Sequence, residues 1–254
     1  MNRIIILFAF FFSLIAPTFS WAQSEPDDAP NKDQSILTMG VLFEAGTNAL
    51  IGKERLFPMP FIYYQNKYVT YATNSLMIHP VETGPFQLSA IGAFRVSDIE
   101  MSSDDRFDDF ERDFAFEAGG HAEYRYRNFS VYGQYLTDVT NAHEGDEITI
   151  GVIARKMIDR VHLSLNSGVR YRSSELVNYL YGTTGQKGAP LFPVVELDSG
   201  WFGFARLTAS IHLKDNWSLL LTAAGENLSE SVVLSPVVDK EYTLRGGIGI
   251  TYTF

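Results

Sequence analysis

The sequence predicts an all-β fold, a transmembrane antiparallel β-barrel of about 12 strands with short periplasmic turns and long external loops. Apolar and polar residues alternate with a period of two over segments of roughly 10–13 residues, and a tilted membrane strand needs about 9–11. The polar side of this alternation carries full charges in mid-strand, which a small packed core rarely tolerates. The alternative, a soluble sandwich or lipocalin-like barrel, fits the long strands and the mid-strand charges less well, since soluble strands average about 5–6 residues.

Composition excludes several other classes of protein. The chain has 254 residues, a formal net charge of −10 and no cysteine. It therefore has no disulfide scaffold, thiolate metal site or thiol nucleophile. An acidic chain without a lysine or arginine cluster is not expected to bind nucleic acid. The sequence has no EF-hand spacing, phosphate-binding glycine loop or His-Glu-x-x-His motif, so we expect neither a metal nor a cofactor.

The first residues have the features of an export signal. A cationic start, Met1–Arg3, precedes an apolar run, Ile4–Ala16, and small residues stand at Ser20 and Ala22. The run would reach roughly 20 Å as a helix, which is short of the ~30 Å hydrocarbon core. We predict a secretory signal peptide at residues 1–22, with a retained anchor as the alternative. Residues 23–35 are predicted to be a flexible periplasmic tail, and residues 36–254 the barrel.

The strands follow from splitting each segment into odd and even positions. One strand covers Ile36–Ala45, and eight more follow residue 85: Phe86–Val96, Phe114–Tyr126, Phe129–Asp138, Ile148–Arg155, Val161–Arg172, Trp201–Leu213, Trp217–Glu226 and Tyr242–Phe254. Termini on the same side require an even total. Crossings near 58–65, 67–73 and 75–82 would give twelve strands, and one distorted strand in their place would give ten.

Aromatic residues and connection lengths orient the barrel. Outer-membrane barrels carry an aromatic girdle at each interface and short periplasmic turns. From residue 82 onward short connections alternate with long ones, so the long ones are predicted to be external and the C-terminus periplasmic. One girdle would hold Tyr124, Tyr126, Phe129, Trp217, Tyr252 and Phe254, and the other Tyr135, Tyr171, Trp201 and Tyr242.

The polar face predicts a network of charges inside the barrel. His121 lies two positions from Glu123 and four from Glu117 on one strand face, Arg125 follows on that face, and five more arginines occupy polar faces of other strands. Buried charges persist when they are paired. The predicted lumen charges are Arg95, Glu117, His121, Glu123, Arg125, Arg155, Arg170, Arg206 and Arg245. Catalysis is not expected, because His162 and His212 adjoin predicted periplasmic turns, whereas barrel enzymes work at the external rim.

Two acidic loops have a second interpretation. His143 lies in a loop with Asp138, Glu144 and Asp146, which is read as a turn in which Asp138 and Asn141 bond the backbone and Gly145 supplies a positive φ. The alternative is a cation site. Residues 102–113 carry six carboxylates and are read as a solvated loop tip, with divalent cations that bridge lipopolysaccharide as the alternative.

The C-terminus and several ordered motifs resemble known sequences. Gly249, Tyr252 and the final Phe254 are similar to the signal that the barrel assembly machinery reads on its clients. Across the barrel the chain resembles the MipA/OmpV family of outer-membrane proteins. The motifs are Pro58-Met59-Pro60 before Tyr63-Tyr64, Asp138 to Gly145, Asn178 to Gly182 with Leu180 in place of the family's tyrosine, Trp217 after a turn, Ser235-Pro236-Val237-Val238, and the ending.

This resemblance implies an outer-membrane location among lipid and lipopolysaccharide. It also implies a non-enzymatic scaffold that links a murein lytic transglycosylase to a penicillin-binding protein. Two other functions stay open. A barrel of about 12 strands lies between filled and open cases, so a narrow pore for small solutes is one alternative. An adhesin-like surface protein is another, and it would depend on Ser173–Ser199, predicted to be an irregular exposed segment.

Overall fold

The computed structural model of the chain describes residues 35–52, 57–97, 99, 105–107, 110, 112–186 and 191–254. Within these residues twelve antiparallel strands close into one barrel, in which every strand pairs with its sequence neighbours and β1 pairs with β12. Twelve strands are confirmed, and the alternative count of ten is wrong. The predicted signal peptide at residues 1–22, and the tail up to residue 34, lie outside the described residues.

The strands are β1 Ile36–Thr47, β2 Phe57–Gln65, β3 Val69–Ala72, β4 Ser75–Thr83, β5 Phe86–Arg95, β6 Ala115–Tyr126, β7 Phe129–Asp138, β8 Asp146–Ile158, β9 Val161–Arg172, β10 Gly200–Lys214, β11 Trp217–Asn227 and β12 Tyr242–Thr253. Strand β8 exceeds its predicted range at both ends. Its second residue, Glu147, lies directly opposite Arg172 of β9, so an inward ion pair extends the ladder beyond the apolar run.

The two ends of the barrel differ in their connections. At the turn end the connections are two or three residues long, and β1 begins and β12 ends there. At the loop end the connections span 48–56, 96–114, 139–145, 173–199 and 228–241, together with the tight turn at 73–74.

The outward face is apolar and the inward face is polar, as the alternation predicted. Exposed apolar residues form a belt around the barrel, among them Met39, Val41, Phe43, Leu88, Val131, Ile150, Val152, Leu165, Val169, Leu207, Leu244 and Ile248. Exposed aromatic residues border this belt, with Tyr126, Phe129 and Trp217 at the turn end and Trp201 and Tyr242 at the loop end. A hydrocarbon environment matches this surface, because water would leave it unfavourably exposed.

Strand β3 is the shortest strand of the barrel, and its length explains the presence of two prolines in β2. It has four residues and leaves the part of β2 before Ile62 paired with β1 alone. The backbone N–H and C=O of Ile62 face β3, so by alternation the nitrogens of Pro58 and Pro60 point to the same open edge. Proline has no N–H there, so it leaves no unpaired donor at an edge next to lipid.

The last strand closes the barrel through close backbone contact. Its register with β1 runs from Thr253 opposite Thr38 to Leu244 opposite Thr47. A Cβ at Gly249 would lie 2.6 Å from the carbonyl oxygen of Val41, so glycine allows this approach. At the turn end Tyr252 packs between Trp217 and Phe254, with ring centroids 5.0 and 4.9 Å apart.

In the described part of the loops at the loop end there are two α-helices and a 3-10 helix at Asp105–Phe107. Helix α1 spans Ser174–Tyr181 and helix α2 spans Glu230–Val233. No helix among the described residues is long and apolar enough to cross a bilayer.

Candidate functional site

The loop end carries a folded apolar cap. It forms one buried cluster from four loops and the adjoining strand β10, and its members include Leu50, Ile99, Phe110, Leu176, Val177, Leu180, Leu197, Phe202, Val232 and Val237. Leu176, Val177 and Val232 have no exposed surface. Four loops that are far apart in sequence therefore fold together as a layer over the barrel mouth.

Helix α1 is fixed in this layer by local hydrogen bonds. The Ser173 hydroxyl accepts from the backbone N–H of Leu176 and from that of Asp146, which ties the helix start to β8. The Asn178 amide donates to the carbonyl of Leu197 at 2.7 Å, and its oxygen accepts from the Leu197 N–H. Burial raises the pKa of the Tyr179 phenol well above its ordinary value, and that phenol donates to the Asp113 carbonyl.

The prediction of an irregular, exposed segment at Ser173–Ser199 is wrong for its first part. Residues 174–181 form α1, and five of its eight residues are buried. The sequence was misread because the glycines and prolines after residue 181 dominated the interpretation, whereas Ser173 is a helix N-cap residue. Further along, Leu191 and Val194 are exposed.

Directly below the cap lies a network that we call the loop-end cluster, made of Arg95, Glu117, His143, Glu147, Arg170, Arg172 and Glu226. Arg172 is its centre, because its guanidinium bonds Glu147 at 2.8 Å and holds both oxygens of Glu226 at 2.9 and 3.1 Å. Arg170 adds a contact of 2.5 Å to Glu226. The Arg172 side chain is 1% exposed.

The network continues on the opposite side of the barrel mouth through Arg95. Its Nε donates to Glu117 at 2.7 Å, and its Nη2 lies 3.5 Å from Glu147. The Gly145 N–H donates to His143 Nδ1, so the proton of a neutral imidazole is on Nε2, which lies 3.2 Å from Glu117. Charges from β5, β6, β8, β9 and β11 are thus joined across the lumen.

The loop that carries His143 is a turn, as predicted, although its geometry differs in one respect. The Asp138 carboxylate accepts from the backbone N–H groups of Thr140, His143 and Glu144. Positive φ angles occur at Asn141 and Glu144, not at Gly145. Glycine is needed at 145 for a different reason, since a Cβ there would lie 2.5 Å from the backbone nitrogen of Leu176.

A second network, the turn-end cluster, contains Glu82, Gln87, Glu123, Arg125, Ser130 and Arg155. Arg125 bonds Glu123 at 3.0 Å and also donates to Gln87. Arg155 bonds Ser130 at 2.7 Å and lies 3.6 Å from Glu123. The Nε atoms of both arginines are buried without a hydrogen-bond partner among the described residues.

Between the two clusters the lumen contains packed side chains. Tyr132 lies over Gly151, where a Cβ would be 2.6 Å from its ring, and its hydroxyl donates to Asn166 at 3.1 Å. Ile153 and Phe204 pack with it. A second buried group consists of Leu42, Phe61, Tyr63, Ala72 and Leu220.

The predicted lumen charges all face inward, but they do not form one network. Arg95, Glu117 and Arg170 join the loop-end cluster, whereas Glu123, Arg125 and Arg155 join the turn-end cluster. His121 stacks on Tyr132 and belongs to neither, and Arg206 and Arg245 line a cavity next to Arg170 and Glu226 of the loop-end cluster. The prediction omitted Glu147, Arg172 and Glu226, each at a strand end. Their place on the polar side of the alternation was the available signal.

One contact in the lumen resembles a catalytic pair. His79 Nδ1 lies 2.7 Å from Ser89 Oγ, and its Nε2 lies 2.9 Å from Thr70 Oγ1. A serine nucleophile needs a histidine whose second nitrogen is oriented by a carboxylate or comparable group. A threonine hydroxyl occupies that position here, and the Ser89 side chain is buried.

A closed antiparallel barrel with an apolar belt, aromatic borders and a polar interior defines an integral β-barrel membrane protein. The chain belongs to the MltA-interacting protein MipA family, whose model matches residues 38–254. This confirms the family resemblance of the sequence.

Two curated relatives are both called MltA-interacting protein, one from Escherichia coli (strain K12) and one from Shigella flexneri. Each is 28% identical over 134 residues, which cover 51% of this chain and 54% of the relative. The chain thus spans about half the length of the curated relatives it matches. Similar solved structures include an outer membrane channel from Pseudomonas putida F1, at 10% identity, TM-score 0.44, and coverage of 91% of this chain and 100% of that one. Another is OmpT of Vibrio cholerae, at 8% identity and a TM-score of 0.38, with coverage of 87% of this chain and 98% of that one.

Proposed function

We propose that this chain is a non-enzymatic outer-membrane barrel whose turn end faces the periplasm and docks peptidoglycan-remodelling enzymes, a lytic transglycosylase and a penicillin-binding protein. The observation that carries the proposal is the contrast between the ends. The loop end is covered by its own buried cap, whereas the turn end presents short, exposed polar turns. Family membership and the printed name of the relatives support the choice of partner.

The turn end is basic although the whole chain is acidic. Its exposed charged residues include Lys67, Arg127, Lys156, Arg160 and Lys214, against the carboxylates of Glu82, Asp159 and Asp215. A surface of one sign attracts a partner of the opposite sign and steers its approach. A periplasmic enzyme with an acidic face would fit this rim.

Site-specific photocrosslinking in cells tests the docking surface. A photoreactive amino acid at Arg127 or Asp215, both in turns, should crosslink to a transglycosylase or a penicillin-binding protein. The matched control is Leu234, an exposed residue at the loop end, which should give no such product. Murein enzymes captured from position 234, or from no turn position, would contradict the proposal.

The remaining features of the proposal concern export and assembly. We infer that residues 1–22 are removed, that the tail at 23–35 stays in the periplasm, and that the belt contacts lipid and lipopolysaccharide. Gly249, Tyr252 and Phe254 are proposed as the signal for the barrel assembly machinery, because they lie at the closing seam. Mass spectrometry of the mature chain should find Gln23 at its start, and any other start would contradict the cleavage site.

A pore is the alternative that the packed lumen does not favour. The inward residues Tyr63, Tyr132, Phe204 and Leu220 are buried in the barrel interior, below a cap that is itself buried. We therefore expect no discrete conductance steps when the refolded chain is added to planar bilayers. Regular single-channel steps that match between preparations would favour the pore.

A further inference from the structure

The inner wall of β9–β12 lines a partly open cavity of about 40 Å³. Its lining includes the side chains of Arg170, Arg206, Arg245, Phe204 and Glu226. A water molecule needs about 10–15 Å³ of such space, so the cavity holds about three water-sized groups. This is about the size of a small oxyanion.

The strand register explains why a cavity forms between two arginines. Arg206 of β10 and Arg245 of β12 lie on either side of Ala224 of β11, because both pair with that residue. Adjacent strands are about 4.8 Å apart, so the backbone of each arginine lies about one strand spacing from that of Ala224. The methyl group of Ala224 is too short to fill the space between two guanidinium groups.

The two carboxylates nearest the cavity bond residues other than Arg206. Glu226 is already held by Arg172 and Arg170. Glu44, two residues further along the barrel, accepts from the Thr222 hydroxyl at 3.3 Å. Arg206 makes no hydrogen bond and no ion pair with any residue that the structure describes. A half-buried guanidinium without an ion pair at the wall of a cavity attracts a counter-anion or ordered water.

We propose that this cavity binds a small inorganic oxyanion with the charge and size of phosphate or sulfate. Arg206 and Arg245 approach it from both sides, and the planar guanidinium matches two oxygens of such an anion. Arg170 is already committed, because it bonds Glu226 and stacks over Phe204 at 4.1 Å. Arg206 is therefore the main ligand.

Thermal unfolding of the refolded full chain in detergent micelles tests the site, with sodium phosphate as the titrant and sodium chloride at matched ionic strength as the reference. A ligand that binds the native state raises the midpoint temperature in a saturable way. We expect a phosphate-specific rise in the wild type and at least a tenfold weaker phosphate affinity in Arg206→Gln. The matched control is Arg160→Gln, an exposed arginine in a turn, which should behave as the wild type.

A second pair of variants fills the cavity and leaves all charges in place. Ala224→Leu should abolish the phosphate response, whereas Ala223→Leu, one residue away on the exposed outer face, should not change it. Three outcomes would each overturn the proposal: an equal response to chloride, no saturable response in the wild type, or Arg206→Gln and Ala224→Leu titrating as the wild type does.

Discussion

The two charge clusters of the lumen contain the same residue types but differ in how completely they are buried and paired. In the loop-end cluster the Arg172, Glu147 and Glu226 side chains are at most 5% exposed, and the contacts of Arg172 measure 2.8–3.1 Å. In the turn-end cluster the Arg125 and Glu82 side chains are 23% and 24% exposed, and they lie 3.9 Å apart. The cap supplies this difference, since it excludes water from one end alone.

Burial determines what each cluster contributes. Breaking a buried pair leaves an uncompensated charge and costs about 3–5 kcal/mol, whereas exposed pairs contribute about 0–1 kcal/mol. The loop end is therefore a rigid, all-or-none structure. The turn end can change its side-chain contacts at low cost, which suits a surface that docks a partner.

The largest expected effect is the loss of the central arginine. Arg172→Met should lower the free energy of unfolding by about 3–5 kcal/mol, because Glu147 and Glu226 would lose their shared partner while buried. Urea titration in lipid vesicles measures this value. Arg125→Met at the turn end is the matched control and should cost less, because the Arg125 side chain is 23% exposed and Glu123 keeps a second cation, Arg155, 3.6 Å away. Equal losses in the two variants would remove the distinction between the ends.

The cap is tested by truncating one of its buried residues. Leu176→Ala should cost about 2–5 kcal/mol, because the side chain is fully buried and would leave a cavity. Limited proteolysis of the loops in intact vesicles should become faster. Leu191→Ala, in the same loop but exposed, should cost under about 0.5 kcal/mol. If both variants resist protease equally, the cap is not a cooperative layer.

For the packed centre of the lumen, we expect a loss of stability between those of the two charge clusters. Gly151→Ala should cost about 1–3 kcal/mol, since its Cβ would overlap the Tyr132 ring and force that side chain to move. Gly133→Ala is the control, because nothing lies within 4 Å of its added Cβ. The difference between their urea midpoints reports how tightly the lumen is packed, and no difference would indicate a loose interior.

The smallest expected effect concerns the start of α1. Ser173→Ala should cost about 1 kcal/mol, because it removes the acceptor for the Leu176 and Asp146 N–H groups. Ser229 precedes α2 but makes no such side-chain bond, so Ser229→Ala should cost a few tenths at most. Hydrogen exchange at residues 176 and 232 would separate the two, and equal exchange in both variants would contradict the capping role.

The strands were predictable because their evidence is local. The split of Trp201–Leu213 into two faces needs no knowledge of the partner strands, and the structure places Phe202, Thr208 and Ser210 inside as that split requires. Strand β3 was harder, because four residues give too little alternation to fix its limits. The requirement for an even number of crossings left both ten and twelve strands open, and the structure decided for twelve.

The candidate site was only partly predictable. The inward direction of Arg206 followed from the alternation, but its place opposite Ala224 and across from Arg245 depends on the register of β10, β11 and β12. Arg172 and Glu226 were not among the predicted lumen charges, because charged residues at strand ends usually lie at a solvated rim. Their burial under the cap comes from apolar residues as distant as Leu50 and Val237.

The sequence by itself determined the antiparallel barrel, its apolar outer face and its polar inner one, because the alternation between the two faces repeats every two residues along the chain. The tertiary structure alone decided which charges meet, where Arg206 lacks a partner and that the loops fold into a cap. These features arise from the stagger of strands and from contacts between remote loops, and neither leaves a periodic signal in the order of the residues.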